Sequence, residues 1–207
     1  VSERLTLFAS LVETWSARIN LVSKRDMPLI WSRHVEDSLA LVPHIPAGTA
    51  RAIDLGSGAG FPGLVLAIET GIPFTLIESD TRKSIFLREA ARLTGAPVTV
   101  INGRIEGANI APAPLITARA LAPLPQLLGL AAPLLAPGGV CLFPKGRDVQ
   151  VELTAAAPLW HMEVAQYSSP LDEAACLLKI SELRHVDARL AETPPRDRGR
   201  QPEGRRR

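Results

Sequence analysis

Between Asp54 and Gly63 the chain reads Asp-Leu-Gly-Ser-Gly-Ala-Gly-Phe-Pro-Gly, placing four glycines within eight positions. An apolar run at 52–55 precedes this stretch, and a helix-forming segment at about 62–70 follows it. Glycines spaced in this way let the backbone turn with positive φ and let a ligand approach without Cβ interference. The loop then opens a helix, whose first N–H groups favour an anionic or carboxylate group. A strand, a glycine turn and a helix in succession restrict the chain to wound α/β sheets that bind ligands at the carboxyl edge of the strands.

The rest of the chain agrees with that restriction. Short apolar runs at 52–55, 74–77, 98–101, 115–118 and 140–143 read as strands, with helices at about 62–70, 82–94 and 123–135 between them. Strands that alternate with helices predict a mostly parallel, twisted Rossmann-like sheet with helices on both faces. After Lys145 a weaker helix is expected at 149–156, then two more strands at 160–167 and 174–181. Ahead of the sheet, Leu5, Phe8, Leu11, Val12, Trp15 and Ile19 recur at helical spacing. A second helix is predicted from Pro28 to Leu41, ended by Pro43, Pro46 and Gly48. The expected organisation is an N-terminal helical segment at 1–48, an α/β core at 49–185 and an arginine-rich tail at 189–207. No internal repeat is visible.

Two ligand classes compete for the loop. Gly58 to Gly63 fits the dinucleotide spacing G-x-G-x-x-G, and Glu78 follows Gly58 by 20 residues. The strand ends at Asp54–Leu55, however, so the turn begins at Gly56, and from there the pattern is G-x-G-x-G. A pyrophosphate would also meet the carboxylate of Asp54 close by. The zwitterionic amino-acid end of S-adenosylmethionine, beside its sulfonium, tolerates that charge better. Glu78, at the end of the second strand, suits the two hydroxyls of a ribose, with helix capping as the alternative. Asp80 is the better cap candidate.

Composition narrows the class further. The net charge of +2 is unevenly spread: the last 19 residues hold seven arginines against Glu192, Asp197 and Glu203, leaving residues 1–188 at −2. Nucleic-acid binding by the folded part therefore has to come from local clusters. The tail has little to bury and is expected to be disordered, either as a dispensable extension or as an electrostatic arm. Cys141 and Cys176 lie far apart in apolar runs and read as small buried hydrophobes. His44, His161 and His185 lack ligand spacing, so no metal is expected. No apolar run reaches the roughly 20 residues of a membrane span, and the amino end lacks a signal-peptide pattern. The expectation is a cytoplasmic monomer.

Beyond the fold, the loop with its Phe-Pro-Gly ending resembles that of the bacterial small-subunit ribosomal RNA guanine-N7 methyltransferases, the RsmG or glucose-inhibited division protein B family. Further segments agree in family order: Trp15 to Leu21 (WSARINL), Arg33 to Leu39 (RHVEDSL), Lys83 to Arg88 (KSIFLR), Arg104-Ile105-Glu106, Arg119 to Leu124 (RALAPL) and Lys145-Gly146. The match runs from about Leu5 to Glu182 and excludes the tail. The resemblance implies a class I methyltransferase fold, S-adenosylmethionine as cofactor, and 16S ribosomal RNA or the small subunit as partner. It further implies that Gly56 and Phe61 contact the donor; the pattern of the loop and strand ends adds Asp54, Gly58 and Glu78 as cofactor-binding candidates. Ile105 and Glu106 would read the adenine edge, and Arg119 would lie at the cofactor or the target base as the catalytic candidate.

Lys145 and His34 are the candidates for touching RNA. His34 and Asp37 share a helix face and could pair with each other, while Phe61 and Trp31 are candidates for stacking a flipped base. Guanine N7 carries an in-plane lone pair and no proton, so an in-line displacement at the sulfonium methyl needs no general base. The rate is then expected to be flat between about pH 6.5 and 8.5. An NAD-dependent oxidoreductase and a non-catalytic ribosome-assembly or RNA-binding factor stand as alternatives.

Overall fold

The computed structural model describes residues 2–169 and 174–186. The arginine-rich tail expected at 189–207 lies outside the described residues. Seven strands form one sheet: β1 (Ala52–Leu55), β2 (Phe74–Glu78), β3 (Val98–Asn102), β4 (Ala113–Ala118), β5 (Leu135–Lys145), β6 (Trp160–Ser168) and β7 (Cys176–His185). Their order is β3-β2-β1-β4-β5-β7-β6. The first five neighbours pair in parallel, whereas β7 lies antiparallel between β5 and β6. The fold class expected from the sequence is therefore the one observed.

Alternation along each strand divides the core into two layers. Ala52, Leu76, Leu115 and Leu142 face one way, toward α3 (Gly63–Thr70), α4 (Thr81–Thr94) and α1 (Glu3–Ser16). Ile53, Leu55, Ile77, Ile116, Cys141 and Phe143 face the other way, toward α5 (Leu124–Ala131) and α6 (Val149–Ala156). Every residue of β1 is buried, as expected of a central parallel strand covered on both faces. Both cysteines are free and buried. Burial pushes the Cys141 thiol far up, so it serves as a small apolar filler.

The N-terminal segment shares the first of these layers. Helix α1 buries Leu5, Phe8, Ala9 and Val12, and Phe8 lies 5.2 Å from Phe61 and 6.4 Å from Phe86, centroid to centroid. Arg4 fastens the same helix to the carboxyl end of α4 by donating to the carbonyls of Thr94 (2.7 Å) and Gly95 (2.8 Å). Those carbonyls belong to the helix's last turn, where cationic donors are favoured.

The second predicted helix is not continuous. In place of one helix over 28–41 the chain makes a 3-10 turn at Met27–Leu29, a π-helical turn at Trp31–Val35 and a short α2 at Glu36–Leu39. A further 3-10 turn follows at Val42–His44. Helical periodicity cannot distinguish these forms over so few residues, and π-turns recur where side chains are re-aimed at functional sites. The helix predicted to reach Leu135 stops at Ala131 and tightens into a 3-10 turn, Ala132–Leu134, because Pro133 has no N–H to continue it.

Candidate active site

β1 and β4 are neighbours, and the chain leaves them toward opposite faces, into α3 and α5. Such a divergence opens a crevice at the carboxyl edge of the sheet, and nearly all of the sequence candidates gather there.

The glycine loop forms the floor of the crevice. A Cβ on Gly63 would stand 2.6 Å from Asp54 Cβ and 2.7 Å from Leu76 Cδ2, so the first turn of α3 lies directly on β1. Gly56 adopts φ 62°, and a Cβ there would stand 2.5 Å from Leu121 Cδ1. Asp54 is fully buried beneath the loop, where its Oδ1 accepts from the Thr117 hydroxyl at 2.6 Å. Burial raises its carboxyl pKa to about 6, and the nearby Glu78 charge adds to the rise. Asp54 lines neither of the cavities described next. It lies beneath the loop and supports it. Glu78 Oε2 accepts from the Gly58 N–H (2.8 Å) and Oε1 from the Asp80 N–H (2.7 Å), which ties the loop to the end of β2. Asp80 is the N-cap of α4, accepting from the Arg82 and Lys83 amides.

Two cavities open above this floor. The smaller, about 190 Å³, is bounded by Gly56, Ile77, Ser79, Ile105, Glu106 and Leu121. Ile105 and Glu106 enter it from a single 3-10 turn after β3, so an apolar wall and an exposed carboxylate stand side by side. The larger, about 520 Å³, is bounded by Arg33, His34, Asp37, Arg119, Pro144 and Lys145, among others. Leu121 and Ala122 line both cavities, so the β4–α5 loop is the wall between them. Ala120, next to Leu121, holds a left-handed φ of 51°. That backbone conformation is costly for a residue with a Cβ, and such strain collects at functional loops.

The larger cavity is organised by Arg119. Its Nη2 donates to the Arg33 carbonyl at 2.6 Å and lies 3.6 Å from Asp37 Oδ2. Asp26 holds Arg33 at 3.3 Å. Burial pulls the Arg119 pKa down while Asp37 and Asp26 oppose that pull, so the guanidinium stays charged. Asp37 thus meets Arg119, where the sequence also allowed a pairing with His34. His34 instead stacks on Phe61, with centroids 5.0 Å apart and planes 27° apart. Its Nε2 is buried without a hydrogen-bond partner. Burial, reinforced by the Arg119 charge, lowers its pKa to about 4, so the ring is neutral near pH 7.

Phe61 departs from its expected place. Its ring is 8% exposed, held between His34 and Phe8, and lines neither cavity, so it cannot offer a face to a base. Trp31 is packed against the same core. Lys145 departs as well. Instead of a free cation for RNA it is a nearly buried clamp, its side chain 9% exposed. Its Nζ donates to Glu152 Oε2 (2.7 Å) and to the Ala122 carbonyl (3.1 Å). Glu152 Oε2 also accepts from the Leu124 N–H at 2.6 Å, so the pair grips the loop on either side of Pro123. Glu152, Asp26 and Leu121 escape sequence reasoning. The one available signal was the seven-residue spacing of Lys145 and Glu152 across a strand end and the next helix.

The family model for GidB, rRNA small subunit methyltransferase G, matches residues 1–189. The chain belongs to this family. Among the GidB relatives, the ribosomal RNA small subunit methyltransferase G of Acidiphilium cryptum is 56% identical over 88% of this chain and 85% of its own. The one from Gluconobacter oxydans is 54% identical over 89% and 95%. The fold reaches beyond the GidB family: an O-methyltransferase from Bacillus cereus, solved in complex with SAH, superposes with a TM-score of 0.55. It is 17% identical and covers 84% of this chain and 90% of its own. Among the described residues of this GidB member no group of three His, Cys, Asp or Glu side chains could hold a metal ion. No described helix is long and apolar enough to cross a membrane.

Proposed function

We propose that the chain methylates guanine N7 of 16S ribosomal RNA, in the decoding-region loop, with S-adenosylmethionine as donor. The observation that carries this reading is the pair of cavities at the β1/β4 divergence, separated by a single loop. The smaller one fits the adenosine end of the donor. Gly56 lets Leu121 close over the turn, Ile105 supplies an apolar wall, and Glu106 supplies an acceptor for an exocyclic amine. Glu78 braces the loop from the end of β2 through the Gly58 and Asp80 amides, and Asp54 and Gly63 hold that floor from below. Bound there, S-adenosylmethionine supplies a sulfonium methyl that the N7 lone pair takes up in one in-line displacement, leaving the neutral thioether.

The chain's own residues then have three tasks. The β4–α5 loop, clamped by Lys145 and Glu152, sets the boundary at which donor and base meet. Arg119, held by Asp37 and the Arg33 carbonyl, fixes the orientation of the base in the larger cavity, where misplacement would slow the reaction steeply. The neutral His34 withdraws from proton transfer, consistent with a nucleophile that needs no base. Residues 49–185 would form the catalytic core, acting as a cytoplasmic monomer. Membership of a methyltransferase family argues against the oxidoreductase alternative.

The test is transfer of labelled methyl to small ribosomal subunits from cells lacking this modification, followed by chemical cleavage at N7-methylguanine. One labelled guanine in the decoding-region loop is expected. Tight donor binding with no label on these particles would overturn the assignment of substrate. Absence of donor binding would overturn the reading of the smaller cavity.

A further inference from the structure

Of the nine aromatic Phe, Trp and Tyr residues, eight lie in the core or pack against it. All five phenylalanines are buried, and Trp15, Trp31 and Trp160 pack against the core clusters. The exception is Tyr167, the chain's single tyrosine, on β6 and 39% exposed. Its ring meets His44 with centroids 4.0 Å apart and planes 43° apart, and the pair borders a third cavity of about 390 Å³. Pro43, Leu177 and Pro144 give this cavity apolar sides. It adjoins the larger cavity of the candidate site, because Asp37, Pro144 and Ala175 line both.

We propose that this cavity is a subsite for the nucleobase next to the target, stacked on the Tyr167–His44 pair. The proposal rests on the rRNA methyltransferase reading and extends it from one base to two. A base drawn into the larger cavity brings its covalent neighbour along, and the shared wall of Asp37, Pro144 and Ala175 places the third cavity beside it. Unpaired RNA is held largely by stacking on exposed aromatic rings, and Tyr167 is the one Phe, Trp or Tyr that stands exposed. Burial and the Lys179 charge lower the pKa of His44, so the imidazole is the neutral partner that stacking favours. Lys179 adds a cation near the pair, suited to the phosphate between the two bases.

The experiment measures equilibrium binding of small subunits by the full chain, and separately KM, kcat and donor affinity, for Tyr167→Ala, Tyr167→Leu, Tyr167→Phe and His44→Ala. Stacking predicts that Tyr167→Ala and Tyr167→Leu each weaken subunit binding and raise KM about tenfold, with kcat and donor affinity unchanged. Tyr167→Phe should stay within about twofold of the parent, and His44→Ala should fall between. An unchanged KM in Tyr167→Ala would overturn the proposal. Restoration by Leu would overturn it in favour of an apolar protein contact, and a change in sedimentation mass in favour of a second copy. Because subunit binding is read without methyl transfer, a catalytically silent parent would count against the proposed reaction and leave the subsite measurable.

Discussion

The two halves of the crevice, which the proposed reaction would assign to donor and target, are built by different means. The donor half, from Gly56 to Glu106, is mainly backbone: a turn seated on β1, amides held by Glu78, and one short turn carrying Ile105 and Glu106. The target half is mainly side chain, with Arg119, Asp37, Arg33 and Asp26 drawn from a segment some 80 residues earlier and from the end of β4. A backbone site depends on the absence of Cβ atoms and loses its shape when one is added. A side-chain site depends on charges finding one another and loses function while keeping its shape. The two halves should therefore fail differently.

The largest expected effect is on the donor side. Gly63→Ala forces a methyl into Asp54 and Leu76 and should cost about 3 kcal/mol or more, visible as a collapse of the thermal unfolding midpoint. Gly107→Ala, which meets nothing within 4 Å, serves as the control and should shift stability by no more than about 0.5 kcal/mol. If both behave alike, the close seating of α3 on β1 is not what holds the floor.

Next comes Arg119→Lys, which keeps the charge and loses the planar fork. The single-turnover rate on subunits should fall about 100-fold while the melting curve and donor affinity barely move. An equal loss of donor affinity would transfer Arg119 to the other half. Glu152→Gln sharpens the boundary between them. It keeps an acceptor for the Leu124 amide and gives up the charge opposite Lys145, so donor affinity and subunit KM should each worsen about fivefold. A shift in one alone would show that the clamp serves a single cavity.

The smallest effect is in pH dependence, where the halves oppose each other. His34 has a folded pKa of about 4 against an ordinary 6.5, so its contribution is complete above pH 6.5 and is lost as pH falls toward 4. Asp54 has a folded pKa of about 6 against 3.8, so its contribution is complete below pH 3.8 and is lost as pH rises through 6. The two partly cancel in the parent. Denaturant titrations should show the acid loss shrinking by about 1 kcal/mol in His34→Gln and growing in Asp54→Asn. Parallel curves for all three proteins would refute both environments.

The donor half was also the more legible in the sequence. Strand ends, turn glycines and the position of Glu106 after β3 are local properties, and local patterns carry them. β1 and α6 fall on the residues predicted, and Asp80 caps α4 as expected. The target half depends on which distant partner a side chain finds. Lys145 stands at a strand end, as the sequence implied, but the sequence does not say that Glu152 waits one helix away. Phe61 looked available because its loop is a ligand loop, and only the packing of α1 and the π-turn reveals that Phe8 and His34 have covered it. The broken helix at 27–39 has the same origin. Its periodicity is helical, while its pitch is set by contacts made elsewhere.

Leu121 is a party to both halves. One side chain closes the donor cavity over Gly56 and walls the target cavity on its other face. A partition shared in this way makes the two equilibria thermodynamically inseparable. Whatever factor the bound donor applies to the affinity for RNA, through the position of that leucine, RNA must apply to the affinity for donor. On the proposed reaction, loading with donor and capture of the base would each report on the other through four apolar carbons.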